Sequence, residues 1–295
     1  MAIGPHQCSG NYLPAESPMS EDYTHSLLAW RERMDTNLRA EYSWLSLAGL
    51  FWLKEGENRF GSAPGNDIVL PKGSAPAQAG VFLVEGKTVT LGLMPNIDAR
   101  LDDEPAPDGA VLQPDVSGKP NFLYLASLRM VLIERGGQLA IRLWDSQHPN
   151  RLNFGGRVWY EPDSNWRVTA RIEPYDPPKP VTIPDMLGND NEGHMHAALA
   201  FEVDGRTYRL DAEKLETGAY YIMFRDATAG KTTYPAVRYL TTEVAEADSV
   251  IIDFNKAYSP PCAFTEFATC PLPPPGNVLG VAVEAGEKYL PTAKT

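Results

Sequence analysis

The chain has 295 residues, with 26 Lys and Arg against 38 Asp and Glu, a formal net charge of −12. Its 43% apolar and 22% charged residues lie in the globular range, which excludes wholesale disorder and collagen-like structure. The acidic balance repels polyanions, so neither nucleic acid nor an anionic membrane surface is an expected partner.

Cys8, Cys262 and Cys270 are too few, and odd in number, for a disulfide framework. No apolar run approaches the ~18–20 residues of a membrane span. The stretch up to Met19 lacks the apolar core of a secretory signal. A reducing, cytoplasmic location is the resulting expectation. Residues 1–20, interrupted by Pro5, Gly10, Pro14 and Pro18, read as a disordered leader.

One helix is predicted next. Ser20 is placed to cap it, Glu21 and Asp22 suit its first turn, and Tyr23, Leu27, Trp30, Met34 and Leu38 recur at helical spacing. The apolar stretch from Trp44 to Leu53 fits either a buried turn of helix or an entry strand. From Gly56 the pattern becomes short strands, at 67–70, 81–84, 88–91, 122–125, 130–134 and 139–143. Glu85-Gly86-Lys87 and Arg135-Gly136-Gly137-Gln138 read as hairpin turns, because glycine accepts the positive φ such turns need. Regular strands without interleaved long helices predict a sandwich or barrel rather than a parallel α/β sheet.

The periodicity breaks at 145–156, and a second β unit follows. Its strands are expected at 166–172, 198–203, 207–210, 220–224, 239–242 and 250–254. Five prolines between Pro174 and Pro184 force that stretch to run extended, short of ladder donors. Cys270 is followed by Pro271-Leu272-Pro273-Pro274-Pro275, a stiff segment suited to lying across a surface.

Two resemblances bear on these residues. The run from Arg59-Phe60-Gly61-Ser62 to Asn66-Asp67-Ile68-Val69-Leu70 resembles the opening of a forkhead-associated (FHA) β-sandwich, a phosphothreonine-binding fold. Members of that family hold phosphate with a Gly-Arg and a Ser-Arg-x-His loop. Here Gly61 precedes Ser62, and the corresponding loop reads Ala75-Pro76-Ala77-Gln78-Ala79-Gly80. The resemblance therefore implies the sandwich without the cations that would fix a phosphate. From about Trp30 onward the chain is also similar to domain-of-unknown-function family 1684. The similarity rests on Leu45–Leu53, Gly56–Ser62, Phe224–Lys231, Asp253–Phe264 and the Cys270-Pro271-Leu272-Pro273-Pro274-Pro275 run. That resemblance implies no family-wide activity. Pro235-Ala236-Val237 before Arg238-Tyr239, and Ser259 where Asn is common, depart from its usual pattern.

The densest polar constellation comprises Arg225, Asp226, Tyr234, Arg238, Asp253, Asn255, Tyr258 and Glu266. Charges this close in an apolar context must pair or face a cavity, because burying one unpaired costs several kcal/mol. Two readings stand. One is a structural ion-pair network pinning the proline-rich tail. The other is a pocket wall in which Arg225 and Arg238 hold developing negative charge, Tyr234 or Tyr258 gives a proton, and His194 or Asp253 takes one. Trp159 and Trp166, with Asn255 and Cys262, would line such a pocket between the two β units. His194 and His196 lie two apart, so on a strand they share a face. That spacing also fits a metal, although a catalytic zinc needs a third protein ligand. No P-loop, dinucleotide-binding or nucleophile-elbow motif occurs in the sequence.

The sequence thus predicts a mainly β protein. Residues 21–148 hold an N-terminal helix docked on an FHA-like β-sandwich. Residues 149–295 form a second β-barrel or sandwich unit with a proline-rich tail. The leading function is a cofactor-independent enzyme, with no metal, performing acid–base chemistry on an aromatic or carbonyl-bearing small molecule: an isomerase, cyclase or hydrolase. The alternatives are a non-catalytic FHA-like binding module and a metal-dependent enzyme using His194 and His196.

Overall fold

The computed structural model describes residues 20–289, so the leader expected over residues 1–20 lies outside it except for Ser20. Helix α1 (Glu21–Leu38) starts where its cap predicts, with the Ser20 side chain accepting from the Tyr23 amide at 3.2 Å. The stretch around Trp44 resolves into both sequence alternatives, a 3-10 turn at Trp44–Ser46 running into strand β1 (Leu47–Trp52).

The first unit is a two-sheet sandwich. Strands β2 (Gly56–Gly61), β3 (Ile68–Val69), β4 (Gly80–Glu85), β5 (Thr88–Leu93) and β8 (Ala110–Leu112) form one sheet in the order β3-β2-β4-β5-β8. The other contains β1, β6 (Ala99–Leu101), β7 (Glu104–Pro105), β9 (Phe122–Leu125), β10 (Leu128–Arg135) and β11 (Gln138–Asp145). Its order is β1-β11-β10-β9-β6-β7. Phe60, Phe82, Val89 and Leu91 from the first sheet meet Leu123, Met130, Leu132 and Ile141 from the second in one buried core. This is the alternation expected when each sheet keeps one dry face. Both predicted turns close two-residue hairpins. Glu85 pairs with Thr88, and Arg135 with Gln138, with Gly136 and Gly137 at φ 55° and 78°.

A short helix, α2 (Pro149–Leu152), and strand β12 (Val158–Trp159) lead into the second unit. There β13 (Arg167–Pro184), β14 (Asp190–Val203), β15 (Arg206–Lys214), β16 (Ala219–Phe224), β17 (Arg238–Val244) and β18 (Ser249–Asp253) pair in the order β17-β16-β15-β14-β13-β18. The ends approach each other, so the sheet nearly closes into a barrel. Leu199, Phe201, Leu210, Ile222, Phe224, Leu240, Ile252 and Phe254 fill it. Strand β19 (Glu287–Lys288) returns to pair with β12.

The proline-rich stretch does form a strand. Its register with β14 jumps from Pro174 to Lys179, so Pro177 and Pro178 fall in the bulge, where no ladder donor is required. Beyond the bulge, β13 and β14 continue as a long hairpin. Its far end is tied to the tail, with Leu272 N donating to Pro184 O at 2.8 Å and Met186 N to Cys270 O at 3.0 Å.

One expectation is corrected. The polar partners of α1 lie on the second unit rather than on the sandwich. The Tyr23 hydroxyl reaches both Asp253 carboxylate oxygens at 3.0 Å, and Arg31 donates to Tyr160 O at 3.0 Å. Asp35 accepts from the Arg157 amide at 3.3 Å, and Trp30 meets Trp159 edge-on. The helix presents Tyr23, Arg31 and Asp35 along its packed side, and the strand ends and turns of the second unit supply the matching carboxylate, carbonyls and guanidinium.

Candidate functional site

The polar constellation of the last third forms buried clamps, and an open groove lies apart from it, along β13 and β14. Arg238, at the start of β17, is 1% exposed. Its Nη1 donates to Ala285 O at 2.6 Å, and its Nη2 donates to Val283 O at 3.1 Å and to the Asp226 carboxylate. Asp226 Oδ1 in turn accepts from Thr228 N at 2.7 Å and Thr228 Oγ1 at 2.6 Å. The guanidinium also lies 4.9 Å from the Phe224 ring centre. By bonding to the Val283 and Ala285 carbonyls, the ion pair holds the returning chain at 283–285 against the barrel. Burial pulls the Arg238 pKa down, and Asp226 opposes that pull.

Asp253 and Asn255 form a second clamp. Asp253 is 1% exposed and caps the 3-10 turn Phe254–Lys256 while receiving the Tyr23 hydroxyl of α1. Asn255 is fully buried, with Nδ2 donating to Asp163 O at 2.8 Å and Oδ1 accepting from Asp163 N at 3.0 Å. A third clamp centres on Glu287, which accepts from Arg157 Nε at 3.1 Å and from Ser259 N at 2.8 Å. Burial pushes the Glu287 carboxyl up to about 7, with Arg157 pulling the other way. Buried Asn277 makes a fourth, bonding both to the Asp211 backbone and to Met223 O at 2.8 Å. The constellation reading left out Arg157, Asn277 and Glu287.

The remaining expected site residues do not converge. Arg225 is exposed, and its backbone pairs with Asn277 O at 2.9 Å and Leu279 N at 2.7 Å. Tyr234 is 7% exposed and donates to Cys262 O at 3.1 Å. Tyr258 packs edge-on against Tyr239 in an apolar cluster with Met195, Met223 and Val237. The acid role needs a phenol with a lowered pKa, and both shift the other way. Burial raises Tyr234 and Tyr258, and only for Tyr258 does a nearby arginine, Arg157, oppose the rise. Trp159 lies under α1 with Arg31 over its ring at 4.8 Å, and Trp166 packs edge-on against Phe254 of the barrel core. The two tryptophans are wall and core residues of different elements.

His194 is the exception. It lies on β14 beside an open groove of about 720 Å³ along the bent hairpin, lined by Pro177, Pro178, Ile183, Glu192, Gly193, His194, His196 and Glu213. Pro177 and Pro178 come from the β13 bulge. Glu213 enters from β15, one step beyond the Ala197–Ala212 pair and therefore beside His196. His196 Nδ1 accepts from Lys214 N at 3.2 Å, which places the ring proton on Nε2 in the neutral form. Gly193 leaves room for the Ile183 side chain, whose Cδ1 would lie 2.4 Å from a Cβ at that position. The alternating Gly-His-Met-His sequence signals the two imidazoles locally. Glu213 has no such local signal.

Among the described residues, no three His, Cys, Asp or Glu side chains come together as a metal site, and no helix is long and apolar enough to cross a membrane. In the sandwich, the Ser62 hydroxyl donates to Ala75 O at 2.8 Å and Asn66 to Ala77 O at 2.8 Å, so these groups close their own loop.

Comparison with known proteins gives the following. No curated protein matches the chain. A solution NMR structure of an uncharacterised protein of Haloarcula marismortui is 32% identical, over 47% of this chain and 79% of that one, with a TM-score of 0.40. The cytoplasmic domain of the T3SS sorting platform protein PscD from P. aeruginosa is 24% identical, over 33% of this chain and 72% of that one, with a TM-score of 0.22. The model of the family described as "Protein of unknown function (DUF1684)" matches residues 152–288, which is the second β unit, and leaves the motifs at 45–62 outside the match. Through that unit, the chain belongs to the DUF1684 family.

Proposed function

We propose that this protein is a cofactor-independent enzyme that moves protons on a small molecule, and that the reaction takes place in the hairpin groove. The observation that carries this reading is the gathering of two imidazoles and two carboxylates around one open space of about 720 Å³. That volume lies within the ~300–1,000 Å³ usual for small-ligand sites. His194 takes the substrate proton, and His196, with its proton on Nε2, returns one. Imidazole is suited to both steps because its ordinary pKa lies near neutrality. Glu192 and Glu213 bring negative charge to the same lining. Pro177, Pro178 and Ile183 give the groove an apolar side for an aromatic or aliphatic body. Isomerisation or cyclisation of a carbonyl-bearing or aromatic metabolite fits this equipment, since each needs only a base, an acid and a shaped surface.

The ligand in this reading is one small molecule, with no nucleic acid or membrane partner; the net charge of −12 supports that choice. The low, odd number of cysteines supports a reducing cytoplasmic setting.

A thermal-shift screen of small ketones, phenols and amines tests the assignment on the wild-type chain and on a His194→Ala/His196→Ala variant. A compound that raises the melting temperature of the wild type only supports it. Compounds that stabilise both proteins equally, with Tyr234→Phe abolishing the effect, place the site elsewhere.

A further inference from the structure

The segment from Pro261 to Cys270 lies in the seam between the two β units. Phe267 packs against Leu47, Val131, Ile133 and Trp144 on the outer face of the sandwich, and Phe264 meets Phe154 edge-on. Cys262 begins the segment, in the 3-10 turn Pro261–Ala263. Cys270 ends it, 5% exposed and fixed from behind by Met186 N on its carbonyl at 3.0 Å. The Cys262 amide donates to Cys270 Sγ at 3.2 Å, so the second sulfur sits directly over the backbone of the first cysteine. That contact sets the two cysteines side by side, the first condition for a disulfide.

Both thiols are free, and they are not equivalent. Cys262 is partly exposed and Cys270 is buried. A hydrogen bond from the Cys270 thiol draws Cys262 below the ordinary thiol range, while the same contact and burial raise Cys270. Across the seam, the β11 guanidinium of Arg142 is 7% exposed, and its Nε has no hydrogen-bond partner among the described residues. It faces the Cys270 side of that seam.

We infer that Cys262 and Cys270 form a redox-active dithiol that exchanges with small-molecule disulfides of the glutathione class. The Cys262 thiolate attacks one sulfur of the disulfide, forming a mixed disulfide and expelling one small thiolate. The Cys270 thiolate then attacks Cys262 Sγ and expels the second. The protein loses two electrons and two protons, and the small disulfide gains both and leaves as two thiols. Cys262 is the attacking sulfur because it is the accessible one, and Cys270 resolves.

The test uses the full chain carrying Cys8→Ser, incubated under native conditions with oxidised glutathione over a range of glutathione ratios, then alkylated and weighed intact. The expected product is two hydrogens lighter, takes up no alkylating agent and reverts on reduction. Adding Cys270→Ser leaves the protein one glutathione heavier, whereas Cys262→Ser leaves it unmodified, and circular dichroism checks that both variants stay folded. Three results overturn the proposal: a native dithiol that survives every ratio while the urea-unfolded chain oxidises, a parent protein that halts at the mixed disulfide, or glutathione carried on Cys270 of the Cys262→Ser variant.

Discussion

The clamp at Arg238 and the groove at His194 belong to the same barrel and use the same kinds of side chain, yet their surroundings differ completely. Around Arg238 both Nη atoms are met by a carboxylate or carbonyl of the chain itself, and the residue is 1% exposed. Around His194 and His196 the charged groups face an open space, and only His196 Nδ1 is engaged by the backbone. A polar cluster enclosed by protein holds segments together, and one beside a cavity has unused valence for a ligand. Mutations should therefore separate the two regions, with large stability effects at the clamps and small ones at the groove.

The sharpest separation is expected at Arg238. Arg238→Ala leaves Asp226 buried without its counter-charge and should cost about 3–5 kcal/mol in urea unfolding. An Arg238→Met/Asp226→Leu pair should recover much of that loss, because it removes both charges at once. Recovery by the pair identifies the cost as an orphaned charge rather than lost packing.

Glu287 gives the pH signature of a clamp. Its folded pKa of about 7 lies above the ordinary 4.5, so the folded chain binds the extra proton between those values. Its stabilising contribution is therefore complete below pH 4.5 and is lost as the pH rises through 7. The full span is on the order of 3 kcal/mol. Melting curves of the wild type should show this decline relative to Glu287→Gln, which carries no titrating group at that position.

Gly286, next to Glu287, should respond less. Its φ is +81°, and a Cβ there would lie 2.4 Å from Ala257 O, so Gly286→Ala should cost about 1–3 kcal/mol in the same urea assay. At the groove, exposed His194→Ala should change stability by no more than about 0.5 kcal/mol, and His196→Ala, which also loses the bond from Lys214 N, by about 1 kcal/mol, while both remove the response to ligands.

Much of the fold is written in local signals. Ser20 as a cap and Gly136-Gly137 as a hairpin turn each fix a structure within a few residues of themselves. The clamps are only half legible. Residue types announce that Arg238 and Asp226 must pair, but the carbonyls of Val283 and Ala285 that complete the bonding come from a segment some forty-five residues away. The side on which α1 docks depends on Asp253 and Arg157, distant in sequence, and no periodicity within the helix encodes that choice. The groove is harder still to read. His194 and His196 appear as an i, i+2 pair, but the proline bulge that opens the space becomes visible only in the register between β13 and β14.

The most direct test of the division between clamp and groove is to follow the ring Cε1–H signals of His194 and His196 by NMR while a phenol, a 2-oxo acid and a primary amine are titrated in turn. The account predicts that at least one probe shifts both signals saturably and with a single affinity, without disturbing the amide of Arg238. Imidazole signals that stay fixed with every probe, while the amides around Arg238 and Tyr234 move, would contradict it.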